Sequence, residues 1–131
     1  MSDQQPNTDP RHQKRVEQLE LLFAATFTEA TVATAHSTTS EISPILQELD
    51  QLDAAIQTVA PERPLHSINK IDLAILRLIV FESNHKKTPK RVLIDEAIEL
   101  AKTYGSESSS KFVNGALAKL LLIDSKPSST D

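Results

Sequence analysis

The segment from Ile71 to Phe81 is apolar at almost every position, and only Asp72 and Arg77 interrupt it. A helix that leaves so little polar surface must lie at the buried centre of a fold. The chain has only 2 Gly among 131 residues, which disfavours the many tight turns of an all-β protein, and no strand-like alternation is present. We therefore predict an all-α, compact helical bundle built around this segment.

Apolar residues at three- and four-residue steps predict about five helices in all. Capping residues support their bounds: Ser43 before Pro44 and Thr88 before Pro89 are expected N-caps, Asn69 is another, and Gly105 is an expected left-handed stop. The predicted helices run from Arg11 to about residue 33, from Pro44 to Val59, from Asn69 through Phe81, from Pro89 to Gly105, and from the serine-rich stretch 106–110 to Leu120.

The length of 131 residues fits one domain. We place it at 11–124, with the N-terminal helices in 11–60 and a three-helix subdomain in 65–124. The polar tails 1–10 and 125–131 are predicted to be disordered, and the Ser/Thr-rich stretch 34–43 is predicted to be a connection.

Residues for catalysis or metal binding are sparse, and we predict no enzyme, no metal site and no cofactor. The chain has no cysteine. Glu96 and Glu99 are expected to face water as surface carboxylates, and capping explains the serines of 106–110 better than nucleophilic chemistry. The histidines lie in predicted loops and helix ends without metal-ligand spacing; they are His12, His36, His66 and His85.

The polar N-terminus does not resemble a signal peptide, and no apolar run approaches the roughly 20 residues that span a membrane. We therefore expect a soluble, cytoplasmic protein. Its net charge of -4 disfavours nucleic-acid binding by the whole surface, so the distribution of the basic residues matters more than their sum.

Half of the 14 basic residues lie in two short segments. On the first helix, Arg11, Lys14, Arg15 and Gln18 follow at i, i+3, i+4 and i+7, a stripe expected to face outward and to suit phosphates. The second segment surrounds a helix N-terminus, where backbone N–H groups favour anions; it contains His85, Lys86, Lys87, Lys90 and Arg91. Each segment could instead be a solvated surface, and the second could meet an acidic protein.

Two motifs in the second half of the chain are shared with a known family. The segment 71–120 reads IDLAILRLIVFE, then TPKRVLIDEAIELAKTYG, then SSKFVNGALAKL. It resembles the C-terminal half of the NusB family, in which E-A-I-E-L-A-K-x-[FY]-G precedes K-F-V-N-G-x-L. The opening helix, RHQKRVEQLELLFAATF, is also similar to that of the family, although it is less diagnostic. Within the second motif, we expect Gly115 to allow close helix approach.

The resemblance implies an RNA-binding adaptor that pairs with NusE, a ribosomal protein, on the boxA sequence of nascent ribosomal RNA. Such an adaptor supports transcription antitermination in a complex with RNA polymerase. Carried over by position, the implied RNA-binding residues are Arg11, Lys14, Arg15, Gln18, Phe23, Asp72, Lys111 and Phe112. Phe112 could instead be a core residue, and the Asp72 carboxylate could do no more than stabilise the positive N-terminal end of its helix.

The chain departs from the family pattern at several positions. Phe23 stands where the family often has a tyrosine, and Ser108 and Ser110 replace an acidic residue and a histidine. The link between the first two helices is short, which predicts a reduced N-terminal subdomain whose exposed apolar surface could form a homodimer. Two other functions stay open: a protein-only interaction module, and a NusB-like domain of a ribosomal RNA maturation factor. A NusB-like domain also occurs in RNA methyltransferases, but this chain ends where a catalytic domain would begin.

Overall fold

The structure is a computed structural model and describes residues 9–26 and 41–123. Within these two ranges the regular elements are six α-helices, one 3₁₀ turn and a final π-helical turn, with no strand. The helices are α1 (Pro10–Thr26), α2 (Ser43–Gln47), α3 (Leu49–Val59), α4 (Lys70–His85), α5 (Lys90–Tyr104) and α6 (Glu107–Leu117); the turns are Leu65–Ser67 and Ala118–Ile123. The all-α prediction is confirmed.

Helix α4 is the centre of the bundle, as its apolar sequence predicts. It packs against each of the other five helices. Every residue from Asp72 to Leu76 is buried, and so are Leu78, Ile79 and Val80. Asn69 caps the helix, because its side-chain oxygen accepts the backbone N–H groups of Ile71 and Asp72 at 2.8 and 3.3 Å.

The predicted second helix is divided in two at Glu48, so the prediction of one continuous helix is wrong. The backbone of Glu48 turns to φ -108° and ψ 13°, and its N–H bonds the carbonyl of Ile45 at 3.0 Å. Its carboxylate lies 2.8 Å from Nε2 of His85, at the end of α4. This contact joins residues 37 positions apart, which a local apolar pattern cannot show.

Several predicted boundaries need correction. Asp9, which we placed in a disordered tail, accepts the backbone N–H of Arg11 at 2.9 Å and so supports the start of α1 at Pro10. Ser43 lies inside α2 rather than before it, and the Thr88 hydroxyl donates to Glu82 instead of capping α5. The predicted tail residues 1–8 and 125–131, helix residues 27–33 and link residues 34–40 lie outside the described residues.

Exposed apolar surface is limited in the described part of the chain. The large apolar side chains exposed there are Val92 and Tyr104, and both belong to α5. The first two predicted helices carry no large apolar side chain of this exposure in these ranges, but an open cleft of about 380 Å³ between them is lined by Leu22, Leu46 and Leu49. No helix among the described residues is long and apolar enough to cross a membrane.

The two glycines have roles different from those predicted. Gly105 ends α5 with φ -111°, so it is extended, and the expected left-handed stop is wrong. A Cβ at Gly105 would lie 2.5 Å from Oγ of Ser109, a buried side chain, so glycine is required there by close approach. Gly115 allows no close helix approach, because a Cβ there would meet nothing within 4 Å.

Substituting alanine at the two glycines should change stability in opposite directions. Gly105→Ala forces the added methyl against Ser109 and should lower the free energy of unfolding by about 1–3 kcal/mol. Gly115→Ala adds a better helix former in open space and should raise it by about 0.5–1 kcal/mol. Urea unfolding measures both, and an equal effect of the two substitutions would contradict the packing described for Gly105.

Candidate nucleic-acid interface

The predicted basic stripe on α1 is only partly at the surface. Arg11 and Lys14 are exposed and Gln18 is half-buried, as an outward stripe requires, but Arg15 is buried. The prediction that Arg15 faces outward is therefore wrong. The buried residues of α1 are His12, Arg15, Leu19 and Leu22, whose steps of three and four place Arg15 on the helix face that contacts the core.

Arg15 forms a two-bond ion pair with Glu82 of α4. Its Nε donates to Oε1 of Glu82 at 2.8 Å, and its Nη2 donates to Oε2 at 2.6 Å. Only 7% of the Arg15 side chain and 8% of the Glu82 side chain are exposed. Thr88, in the loop between α4 and α5, donates its hydroxyl to the same Oε2 at 3.0 Å. Glu82 therefore binds both α1 and this loop.

Glu96 of α5 joins the same network, so the expectation that it faces water is wrong. Its Oε1 lies 3.3 Å from Nη1 of Arg15 and 2.8 Å from Nδ1 of His12, and its side chain is 15% exposed. Nε2 of His12 lies 3.7 Å from Oε2 of Glu99. Glu96 thus holds α5 against α1.

His12, Glu96 and Glu99 form the kind of group that could ligate a metal ion, with their ligand atoms within 4.8 Å of one another. Sequence spacing could not reveal it, since His12 and Glu96 are 84 positions apart. Glu96 is already engaged by His12 and by the Arg15 guanidinium. We therefore assign the group to the ion-pair network between α1 and α5.

The electrostatics of Arg15 and Glu82 depend on each other. Burial alone would raise the pKa of the Glu82 carboxyl, but the hydrogen bond and charge of Arg15, with smaller effects from Thr88 and Lys86, hold this pKa below its ordinary value. The hydrogen bond from Arg15 to Glu82 likewise raises the pKa of Arg15. Both side chains are therefore charged at neutral pH, and neither is stable in this position without the other.

Asp72, which the family resemblance places near RNA, is only 4% exposed. One carboxylate oxygen, Oδ1, is buried without a hydrogen-bond partner among the described residues. Burial raises the pKa of this carboxyl, while hydrogen bonding from Ser109 and the charge of Arg63 oppose the rise. In this position the carboxylate lies inside the first turn of α4, which is the alternative that the sequence also allowed.

The other residues carried over from the family lie at or near the surface. Lys111 is exposed and Phe112 is half-buried, with the guanidinium carbon of Arg63 at 4.5 Å from the ring centroid. Phe23 is half-buried and packs against the core. The residues that depart from the family are also accessible: Ser108 is exposed and Ser110 is half-buried. Arg63 is a contact of Phe112 that the sequence analysis missed.

The second basic segment lies at the surface at the start of α5. Lys86, Lys87, Lys90 and Arg91 are exposed, and the neighbouring Val92 is 45% exposed. Helix α5 begins after Pro89 without a side-chain cap, so its first N–H groups keep their attraction for an anion. His85, by contrast, contacts the carboxylate of Glu48 at 2.8 Å, so its ring is directed to that residue.

Removing the Arg15 charge should destabilise the fold strongly. Arg15→Met leaves Glu82 buried without its cation and should lower the free energy of unfolding by about 3–5 kcal/mol. The matched control is Arg77→Met, which breaks a two-bond pair with Asp53 whose side chains are 14% and 20% exposed. It should cost less, about 1–2 kcal/mol. Equal losses in urea unfolding would contradict the role given to Arg15.

The same pair predicts a pH dependence of stability. The pKa of Glu82 is lowered in the folded state, so its contribution is complete above the pKa of an unfolded glutamate, about 4.3, and is lost as the pH falls through the folded value. Stability of the wild-type chain should therefore fall more steeply below about pH 4.3 than that of Arg15→Met. Urea unfolding at stepped pH values measures the two slopes.

Neutralising Asp72 should raise the free energy of unfolding, whereas removing the charge of Arg15 lowers it. Asp72→Asn removes a buried charge, and the free energy regained should exceed the helix-end attraction lost, about 0.3–1 kcal/mol, although the amide keeps a buried polar atom without a partner. Because burial raises the pKa of Asp72, the gain should appear only as the pH rises above about 3.9. The exposed Asp50, in the first turn of α3, is the control: Asp50→Asn should only destabilise. A loss of stability in Asp72→Asn at neutral pH would contradict this account.

Comparisons with known proteins agree over nearly the whole chain. The transcription antitermination protein NusB of Lysinibacillus sphaericus is 37% identical over 120 residues, which cover 83% of this chain and 94% of that protein. The protein of the same name from Chloroflexus aggregans is 33% identical over 129 residues, or 85% and 86% of the two chains. A solved structure of T. maritima NusB superposes with a TM-score of 0.73 at 30% identity, covering 86% of this chain and 90% of that chain. The NusB family model matches residues 4–121, and the chain therefore belongs to the NusB family.

Proposed function

We propose that this protein is an RNA-binding adaptor which, with NusE, binds boxA-like sequence in nascent ribosomal RNA and supports transcription antitermination. The observation that carries the proposal is membership of the NusB family across residues 4–121. The relatives from Lysinibacillus sphaericus and Chloroflexus aggregans are named transcription antitermination proteins. RNA polymerase with its nascent transcript is the setting in which such an adaptor would act.

The start of α1 is the surface best suited to RNA phosphates. Arg11 and Lys14 are exposed there, and Gln18 adds an amide one turn further on. Arg15 acts behind them, because its ion pair with Glu82 fixes α1 against α4. Arg15 is thus a positioning residue in this proposal, and the exposed cations make the phosphate contacts.

A second part of the proposed RNA site lies on α6. Lys111 is exposed for a phosphate contact, and Phe112 presents a half-buried ring beneath the guanidinium of Arg63. Single-stranded bases stack on aromatic rings and on arginine planes, so the pair offers a stacking surface. Asp72 is too deeply buried to contact a base in this arrangement, and we give it no RNA contact.

The proposal is tested by titrating labelled boxA RNA with the full chain, with and without NusE. We expect NusE to raise the RNA affinity and added salt to lower it, because phosphate contacts release counterions. Arg11→Gln with Lys14→Gln should weaken RNA binding roughly ten-fold at low salt. Lys70→Glu is the matched control: it changes the net charge by the same two units at one exposed position, at the other end of α4 from Glu82.

Two results would count against an RNA adaptor. The first is RNA affinity that NusE does not improve. The second is unchanged RNA binding after Arg11 and Lys14 are neutralised. Retained NusE binding together with absent RNA binding would favour the protein-only module. RNA binding that depends on neither NusE nor the boxA sequence would favour a domain of a ribosomal RNA maturation factor.

A further inference from the structure

We propose that the two basic segments form one continuous phosphate-binding surface, so that the RNA site extends from the start of α1 across the α4–α5 loop to the start of α5. The added residues are Lys86, Lys87, Lys90 and Arg91. The ligand is the sugar-phosphate backbone of single-stranded RNA on either side of the recognised sequence. This inference rests on the proposed RNA-binding function and extends its site.

The geometry for this joining comes from Glu82. One oxygen of its carboxylate, Oε2, accepts from Nη2 of Arg15 at 2.6 Å and from the hydroxyl of Thr88 at 3.0 Å. Helix α1 and the α4–α5 loop are therefore neighbours on either side of a single atom. The two segments are far apart in sequence. Arg15 lies in the first, Glu82 lies just before the second, and 67 positions separate these two residues.

The exposed cations stand next to these two anchoring residues. Lys14 directly precedes Arg15, and Arg11 lies one helical turn before it on the same face. Lys87 directly precedes Thr88, and Lys90 follows two positions later at the start of α5. The shared contacts with Glu82 thus place the backbone segments that carry both sets of cations beside each other, and we infer that a single RNA strand contacts the two sets in succession.

The local charge balance favours an anionic ligand. The two carboxylates beneath this surface, those of Glu82 and Glu96, are both engaged by the buried Arg15. Arg11 lies 3.6 Å from Asp9, but Lys14, Lys87 and Lys90 form no ion pair with an acidic side chain of the described residues. The uncapped start of α5 adds the positive end of its helix dipole to the same surface.

An RNA backbone fits this surface better than a protein partner. A protein interface usually has an apolar centre, whereas Val92 is the one large exposed apolar residue at the start of α5 in the described structure. Contacts between lysines and the RNA backbone are independent of base sequence and follow the phosphates.

The test is Lys87→Gln with Lys90→Gln in the full chain, titrated with boxA RNA alone and with boxA RNA flanked on both sides by oligouridine. Binding to the flanked RNA should weaken roughly four- to ten-fold at low salt. The slope of log affinity against log salt should fall by about 1.4, since each contact with a single strand contributes about 0.7. Binding to boxA RNA alone should change much less.

The matched control is again Lys70→Glu. It changes the net charge by the same two units at an exposed position at the start of α4, and it should leave both titrations unchanged. Thr88 and Glu82 are untouched in every variant, and urea unfolding checks that stability is preserved. Arg11→Gln with Lys14→Gln should weaken both RNAs, which separates the extension from the primary site.

Four results would overturn the extension. In the first, the Lys87 and Lys90 variant binds the flanked RNA as the wild-type chain does, while the Arg11 and Lys14 variant binds it more weakly. This result would remove the extension and leave the proposed function standing. An equal loss in the Lys70→Glu control would show a diffuse charge effect. A loss of NusE affinity with unchanged RNA affinity would assign the loop to a protein partner. Absence of RNA binding by the wild-type chain would overturn the extension and the proposed function together.

Discussion

The arrangement of the bundle depends on the buried ion pair between Arg15 and Glu82. Removing two charges from water costs several kcal/mol for each ion, so such a pair adds little net stability, but breaking one half of it is expensive. The pair therefore acts mainly by disfavouring other positions of α1 on α4. If α1 rotates or slides on α4, Glu82 loses its only buried cation among the described residues. Glu96 adds a second contact to the same guanidinium and fixes α5 by the same rule.

Packing constraints explain two residues of the first family motif. In the motif E-A-I-E-L-A-K, Glu96 accepts the ion pairs from α1, and Gly105 at its end avoids a clash with Ser109. Ser109 in turn accepts the backbone N–H of Ser106 at the start of α6. The exposed cations at the start of α1 and α5 lie outside these two motifs. Among the proposed RNA contacts, Lys111 and Phe112 lie within the second motif, and the cations at the start of α1 and α5 must be tested separately from it.

The sequence predicts the features of this fold that arise from local pattern. The apolar run 71–81 correctly predicts α4 as the buried centre, and Asn69 correctly predicts its start. Arg15 is mistaken for a surface residue because its stripe with Arg11 looks uniformly basic. A signal was present: the steps between His12, Arg15, Leu19 and Leu22 repeat the core spacing. A polar residue on that face requires a buried partner, but no local pattern identifies Glu82, 67 positions away.

The electrostatics of the surface follow from where the acidic residues are placed. The net charge of -4 describes the whole chain, but screening in salt solution limits each exposed charge to about 8 Å. Behind the basic surface the carboxylates of Glu82 and Glu96 both contact the guanidinium of Arg15, and Asp9 lies 3.6 Å from Arg11. Lys14, Lys87 and Lys90 form no ion pair with an acidic side chain of the described residues, so they remain available to an approaching phosphate. An acidic protein can in this way present a basic surface, because carboxylates beneath it are engaged by Arg15 while the lysines stay exposed.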